Sequence, residues 1–495
     1  MKFSLRNPFC VFGLIVLWRI ALLVLTVQPV PTNDGFFFDG AVVNWLRHGQ
    51  YFNPSLSVVF PISAHQVYAA YPPLYQGALL LWMKLFGTTV VSAMALHVAL
   101  FAISGFIALT IVRKYFPAPA NHGLVSLLFL VVTFDDRPEG LAHMFGLWAM
   151  LLVGKMISGG ANWRTATAIT LALVGGFYTS VMVGAMYFGI GFIAVTVARL
   201  TRRENIYFAP FVLAGFFFWA IVFTIAKTEP LLWAGFLENA RQTPIMVRGF
   251  RIPHLIDILK LVRNAPVFLI GVMALPFCYV RRREIVSAYG PWMALIAGVF
   301  VMGWALLAAS MVLLEKTYVI YVVFTQILLA AGLLALAGIF VPAAKKSLNV
   351  ALAGCVLLVS VRAVGMTTWG ASCAWKNSYR QTHDTLLKEF APFANTNSPV
   401  IASAAYLYTA AEANVQNPVQ ADWYFDRATW TNNADLNGFV GLQPRKLVLV
   451  QYDYYHMFAP LLERVCRQQG RAQITVRDLA EVRTPDSTSL YHVLQ

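Results

Sequence analysis

The chain has 495 residues, of which 59% are hydrophobic and 12% charged, with a formal net charge of +15. Soluble globular chains carry about 45–50% apolar and about 25% charged residues, so a soluble enzyme, a disordered chain and a fibrous repeat are excluded. A strongly basic chain ordinarily suggests nucleic acid as a partner; so apolar a composition argues against it, and the placement of the charge becomes the question.

The charge divides unevenly. Residues 1–364 hold 26 Lys+Arg and 11 Asp+Glu, whereas residues 365–495 hold 11 of each. A composition shift of this kind marks a domain boundary. The reading is a polytopic α-helical membrane domain over 1–364, followed by a small α/β extracytoplasmic domain over 365–495.

A helix that crosses a bilayer needs about 20 mostly apolar residues. In chain order, eleven stretches qualify: 9–28, 91–112, 121–134, 140–154, 165–179, 181–198, 207–226, 265–280, 288–313, 318–341 and 347–364. The segment 73–87 is apolar but short, and is read as interfacial. Cations cluster at Lys2 and Arg6, Arg113 and Lys114, Lys155 and Arg164, Arg199 to Arg203, Arg281 to Arg283, and Lys345 and Lys346. Cytoplasmic loops carry the excess of Lys and Arg. An inside N-terminus with eleven spans puts all six clusters on one side and the C-terminal domain outside. The spans themselves hold few ionisable groups, Arg19 and Arg362 being the exceptions. A transporter places such groups at mid-membrane depth; here the carboxylates gather at the predicted outer ends.

The first outer loop, about 29–90, is too long for a simple connection. It carries Asn33-Asp34-Gly35-Phe36-Phe37-Phe38-Asp39-Gly40 and then Tyr71-Pro72-Pro73-Leu74-Tyr75. Asp34 reads either as the cap of a helix starting near Phe36 or as a carboxylate made basic by its apolar surroundings. The second outer turn, Asp135-Asp136-Arg137-Pro138-Glu139, puts four charges in five residues. It reads as a helix start with Pro138 in the first turn, or as acids gathered on a divalent metal, a sugar hydroxyl or an Arg. The outer segment 227–264 is net +3 and includes Arg248 and Arg251. It fits a phosphate-bearing ligand gripped by Arg, or an amphipathic helix on anionic membrane lipid. Lys316 and Tyr318 lie in a later outer turn, where Lys316 either pairs with Glu315 or holds a lipid phosphate. Beyond residue 364, strands are expected at 400–403, 446–451, 473–476 and 490–494, and helices at 378–393, 404–414 and 457–469.

The first loop opens with Asp34, places Gly49 fifteen residues on, and reaches Pro72-Pro73-Leu74. With Arg137-Pro138-Glu139 and the pair Lys316 and Tyr318, this resembles the GT-C superfamily of membrane glycosyltransferases. Within it, the pattern is similar to the bacterial branch that includes protein mannosyltransferase types and the aminoarabinose and galacturonic acid transferases of lipid A and core. Gly35 stands where that branch has Glu, and Tyr71 where it has Lys. The resemblance implies a polyprenyl-phosphate sugar donor, a glycan, lipid or protein acceptor, and inverting transfer on the outer face of a bacterial inner membrane. It implies Asp34 as base, with Asp39, Tyr71, Asp135, Asp136, Arg137, Glu139, Arg248, Arg251, Lys316 and Tyr318 binding substrate. No cofactor is required by it, and a divalent metal remains an option. The competing class is a transporter or flippase of lipid-linked saccharides.

Overall fold

The computed structural model describes residues 7–27, 35–56, 60–117, 122–130, 137–202, 207–241, 252–254, 261, 265–287, 290–313, 321–340, 354, 361, 364–365, 379–396, 400–402, 404–420, 446–450, 476–484 and 487–494. The helices in chain order are α1 (Pro8–Thr26), α2 (Gly35–His48), α3 (Pro61–His65), α4 (Leu74–Phe86), α5 (Val90–Tyr115), α6 (His122–Leu127), α7 (Glu139–Ile157), α8 (Trp163–Phe177), α9 (Val181–Arg202), α10 (Ala209–Thr228) and α11 (Pro230–Arg241). They continue as α12 (Pro266–Val280), α13 (Arg282–Ser287), α14 (Pro291–Leu313), α15 (Val323–Phe340), α16 (Tyr379–Phe390) and α17 (Ala404–Glu412).

Six of these are long and apolar enough to cross a membrane: α1, α5, α7, α9, α10 and α14. Each coincides with an expected span. Two more, α12 and α15, are apolar but shorter over the residues that qualify. The expected span at 165–179 is the 15-residue α8. The stretch 121–134 holds the short α6 and one 3₁₀ turn, and 347–364 lies almost wholly outside the described residues. Among the described residues, six of the eleven expected spans are full-length apolar helices. Helix starts follow local chemistry. Asn7, Thr89 and Asn162 cap α1, α5 and α8, each side-chain oxygen accepting a backbone N–H of the first turn.

Small residues let the spans approach closely. α9 lies along α14, where a Cβ on Gly298 would stand 2.4 Å from the Ile190 carbonyl oxygen. Gly298→Val is expected to cost about 1–3 kcal/mol by overpacking and to lower the melting temperature in detergent. An unchanged melting temperature would contradict this packing.

Two apolar cores are present. One fills the helical bundle and runs from Val11 to Ala335. The other gathers Phe36, Phe37, Phe38, Tyr68 and Tyr75 of the first loop with Leu386, Phe390, Tyr406, Leu407 and Tyr408. The composition boundary near 365 is thus no boundary of this core, since α16 and α17 pack into the loop that joins α1 to α5. Five strands follow in the C-terminal part, β1 (Val400–Ala402), β2 (Pro418–Gln420), β3 (Lys446–Val450), β4 (Val476–Thr484) and β5 (Ser487–Leu494). They form one sheet of order β2-β1-β3-β5-β4. β1 pairs in parallel with β2 and β3, and β5 runs antiparallel to β3 and β4. The expected helix at 457–469 lies outside the described residues.

Candidate active site on the outer loops

The first loop is built around α2. Asn53 donates to the carbonyls of Phe36 and Phe37 at 2.8 and 3.2 Å, and its own carbonyl accepts from the Ser55 hydroxyl at 2.7 Å. A Cβ at Gly40 would meet Asn53 at 2.5 Å, so only glycine fits this crossing. At its far end α2 stops at Gly49, whose φ of 73° and bond to the Trp45 carbonyl make a left-handed helix stop. The glycine that carries part of the family resemblance therefore has a local backbone reason.

Asp39 lies on α2 and is fully buried. Tyr75 donates to one of its carboxyl oxygens at 2.8 Å, and Tyr408 of α17 donates to the other. Tyr75 also bonds His97 Nε2 at 3.0 Å. Burial pushes the Asp39 carboxyl up to about 7, and the two tyrosine hydroxyls only partly offset it. Both oxygens are thus engaged by the chain itself, and Asp39 ties the first loop to the C-terminal segment.

A second network stands beside it. Tyr71 donates to Glu139 Oε1 at 2.7 Å, and Arg137 donates through Nε to Oε2 at 3.2 Å. The Arg137 guanidinium lies 5.4 Å from the Phe38 ring centre, and Phe38 meets Tyr71 edge-on at 4.8 Å. Glu139 is fully buried at the first turn of α7, whereas Tyr71 and Arg137 keep part of their surface exposed. Burial and the Glu139 charge hold the Tyr71 phenol protonated well above its usual range, so it remains a donor at any physiological pH. His97 is within electrostatic range of Glu139, which joins the two networks. On the same helix face one turn further, His143 bonds the Tyr187 hydroxyl at 3.0 Å.

The stretch leading to Tyr71 is held by α11. Glu238 accepts from the backbone N–H groups of Ile62 and Ser63 at 3.1 and 3.4 Å, and Asn239 donates to the Ala70 carbonyl. The Leu74 N–H, just past the two prolines, bonds the Tyr178 carbonyl at 3.1 Å. The basic segment 227–264 therefore starts against the loop that presents Tyr71.

Of the sequence candidates, the structure brings Tyr71, Arg137 and Glu139 together and places Asp39 behind them. Asp34, Asp135, Asp136, Arg248, Arg251, Lys316 and Tyr318 lie outside the described residues. Among the described residues, no group of three His, Cys, Asp or Glu side chains stands close enough to hold a metal ion. Sequence reasoning does not single out Tyr75, His97, His143 or Tyr408. For the two histidines there was a signal, an ionisable residue inside an apolar run; for Tyr408 there was none.

No protein-family model matches the chain, and no curated protein matches it. Among solved structures, ArnT from Cupriavidus metallidurans bound to undecaprenyl phosphate superimposes with a TM-score of 0.50 at 14% identity, covering 98% of this chain and 97% of that one. The chain has a GT-C fold. The apo state of the same ArnT aligns with a TM-score of 0.45 at 15% identity over 97% of this chain and 98% of that one. The Archaeoglobus fulgidus oligosaccharyltransferase in the apo form aligns with a TM-score of 0.48 at 11% identity over 92% and 72%. With this fold and its long apolar helices the chain is an integral membrane protein. On the GT-C scaffold, the loop following the first span and the turn before α7 meet at Tyr71, Arg137 and Glu139.

Proposed function

We propose that the protein transfers a sugar from a polyprenyl-phosphate donor to a glycan, lipid or protein acceptor on the outer face of a bacterial inner membrane, with its N-terminus cytoplasmic. The observation that carries this reading is the convergence of Tyr71, Arg137 and Glu139 at the ends of spans, from two loops 66 to 68 residues apart. ArnT from Cupriavidus metallidurans was captured with undecaprenyl phosphate, and a donor of the same lipid class is inferred for this chain.

In this mechanism Asp34, immediately ahead of α2, takes the proton from the acceptor hydroxyl. The oxygen attacks the anomeric carbon, the carbon–oxygen bond to the lipid phosphate breaks with inversion, and the phosphate leaves as an anion. Arg248, Arg251 and Lys316 offset that growing charge. Tyr71 and Arg137, the partly exposed members of their network, contact sugar or acceptor hydroxyls. Glu139 orients both without touching substrate. Asp39 acts one step further back by bracing α2, while Asp135, Asp136 and Tyr318 complete the substrate shell.

Purified protein in lipid nanodiscs, given polyprenyl-phosphate sugars and membrane acceptors, is expected to transfer sugar. Tyr71→Phe removes a donor to Glu139 while keeping the ring on Phe38, and is expected to lower transfer about 10- to 100-fold with little change in melting temperature. Movement of the lipid-linked sugar across a bilayer without transfer would overturn the enzyme reading in favour of a flippase.

A further inference from the structure

The C-terminal segment shares an apolar core with the first loop, and inside that core one carboxyl group joins the two. We propose that Asp39 is a protonatable latch: docking of the segment 379–420 onto the first loop buries its carboxyl group and so favours the neutral form, and its ionisation weakens that docking. The latch concerns assembly of the outer face and holds independently of which ligand that face takes.

The geometry is specific. Tyr408 comes from α17, 369 residues along the chain, and its hydroxyl reaches Asp39 while its ring meets Phe36 edge-on at 5.0 Å. Asp39, Tyr75 and Tyr408 are all buried, so no water competes for the carboxyl group while the segment is docked. The remaining polar contacts across the seam lie at its rim. Arg47 reaches the Glu412 carbonyl at 3.5 Å, and Arg380 donates to the Val24 carbonyl at 2.8 Å. The segment's β2 packs on the Pro54–Leu56 turn. The Arg47 and Glu412 charges also attract across the seam.

The groups facing Asp39 are Tyr75 on α4, Tyr408 on α17 and Tyr68 on the preceding loop, with His97 on α5 reached through Tyr75. All but His97 are phenols that stay neutral near pH 7, so among the described residues no cation stands directly against the carboxyl group. Tyr408 donates to Asp39 in either charge state. Ionisation thus leaves a buried charge with two hydroxyl donors, and undocking lets water replace Tyr408.

The direction follows from burial raising this carboxyl group to about 7. A raised acid keeps its proton in the docked state. Docking is therefore strongest at low pH, weakens by up to about tenfold per pH unit between the ordinary carboxylate range and about 7, where undocking releases one proton, and levels off above. One other group at the seam titrates nearby. His383 bonds Glu412 at 2.6 Å and Asp384 at 3.2 Å, and these carboxylates raise its pKa. That pair joins α16 to α17 within the segment, so it does not itself bridge the seam. Undocking would loosen α2, whose first residue, Gly35, directly follows Asp34.

The test is hydrogen–deuterium exchange on the full chain in lipid nanodiscs from pH 5.5 to 8.5, without substrate, with rates corrected for intrinsic exchange and α5 as internal reference. Protection of 404–412 is expected to fall by up to about tenfold per unit from pH 5.5 to about 7 and to level off above that. Asp39→Asn is expected to keep the acid-form protection throughout. His383→Gln is expected to retain the fall. Tyr408→Phe, which keeps the ring on Phe36, is expected to give lower protection at every pH, with the fall carried to higher pH, because that hydroxyl lowers the carboxyl group. A level wild-type profile overturns the latch, as does a wild-type slope in Asp39→Asn or a level profile in His383→Gln. Should Asp39→Asn not fold, a fall in Tyr408→Phe that ends at or below the wild-type pH overturns it instead. Because no turnover is measured, failure here is distinct from failure of the sugar-transfer reading.

Discussion

Asp34→Asn is expected to lower sugar transfer by about 10²- to 10⁴-fold, the range of a lost general base, while melting temperature and membrane insertion stay unchanged. The choice of asparagine separates the two roles open to this residue. Asp34 directly precedes α2, where a side-chain oxygen can accept the first free N–H groups of the helix, and asparagine caps as well as aspartate does. It cannot take a proton. A residue that only caps would therefore show full activity as Asn. It would show a loss of about 0.5–2 kcal/mol as Ala. The measurement is transfer from a labelled polyprenyl-phosphate sugar, run beside thermal unfolding of both variants. Retained turnover in Asp34→Asn would sink the base assignment and leave the cap.

How much of this was legible in the sequence depends on the range of the interaction. The six long spans follow from apolar run length, because a chain in hydrocarbon must satisfy its backbone within each helix. Which spans touch does not follow, because a helix that is apolar all round carries no directional signal. Tyr71, Arg137 and Glu139 were legible as polar residues at the ends of apolar runs. Their contact was not, since Tyr71 and Glu139 are 68 residues apart and only the fold closes that distance. Asp39 was visible as an acid beside three phenylalanines. Its role as a brace depends on Tyr408, whose position in a buried nine-residue helix looks like ordinary core. The composition shift near 365 was read as a domain boundary. The apolar core of the first loop also takes in α16 and α17 from beyond that point, a contact that composition does not signal.

The second large effect is expected at Arg137. Its guanidinium is mostly buried, and its Glu139 partner is completely so. Removing one member of a buried pair leaves a charge with no counter-charge and costs about 3–5 kcal/mol, whereas replacing both with apolar groups of similar size is often neutral or stabilising. Arg137→Met is therefore expected to unfold at markedly lower temperature. Arg137→Met/Glu139→Leu is expected to regain much of that loss, since the charge that needed Arg137 is gone. Transfer should behave differently. If Arg137 and the Glu139-oriented Tyr71 contact substrate, the double variant stays at least about 100-fold below wild type despite its recovered stability. Melting temperature and transfer rate measured on the same preparations decide between the two roles. A double variant that regains both would make this network a structural pair alone, and the convergence of the two loops would lose its bearing on catalysis.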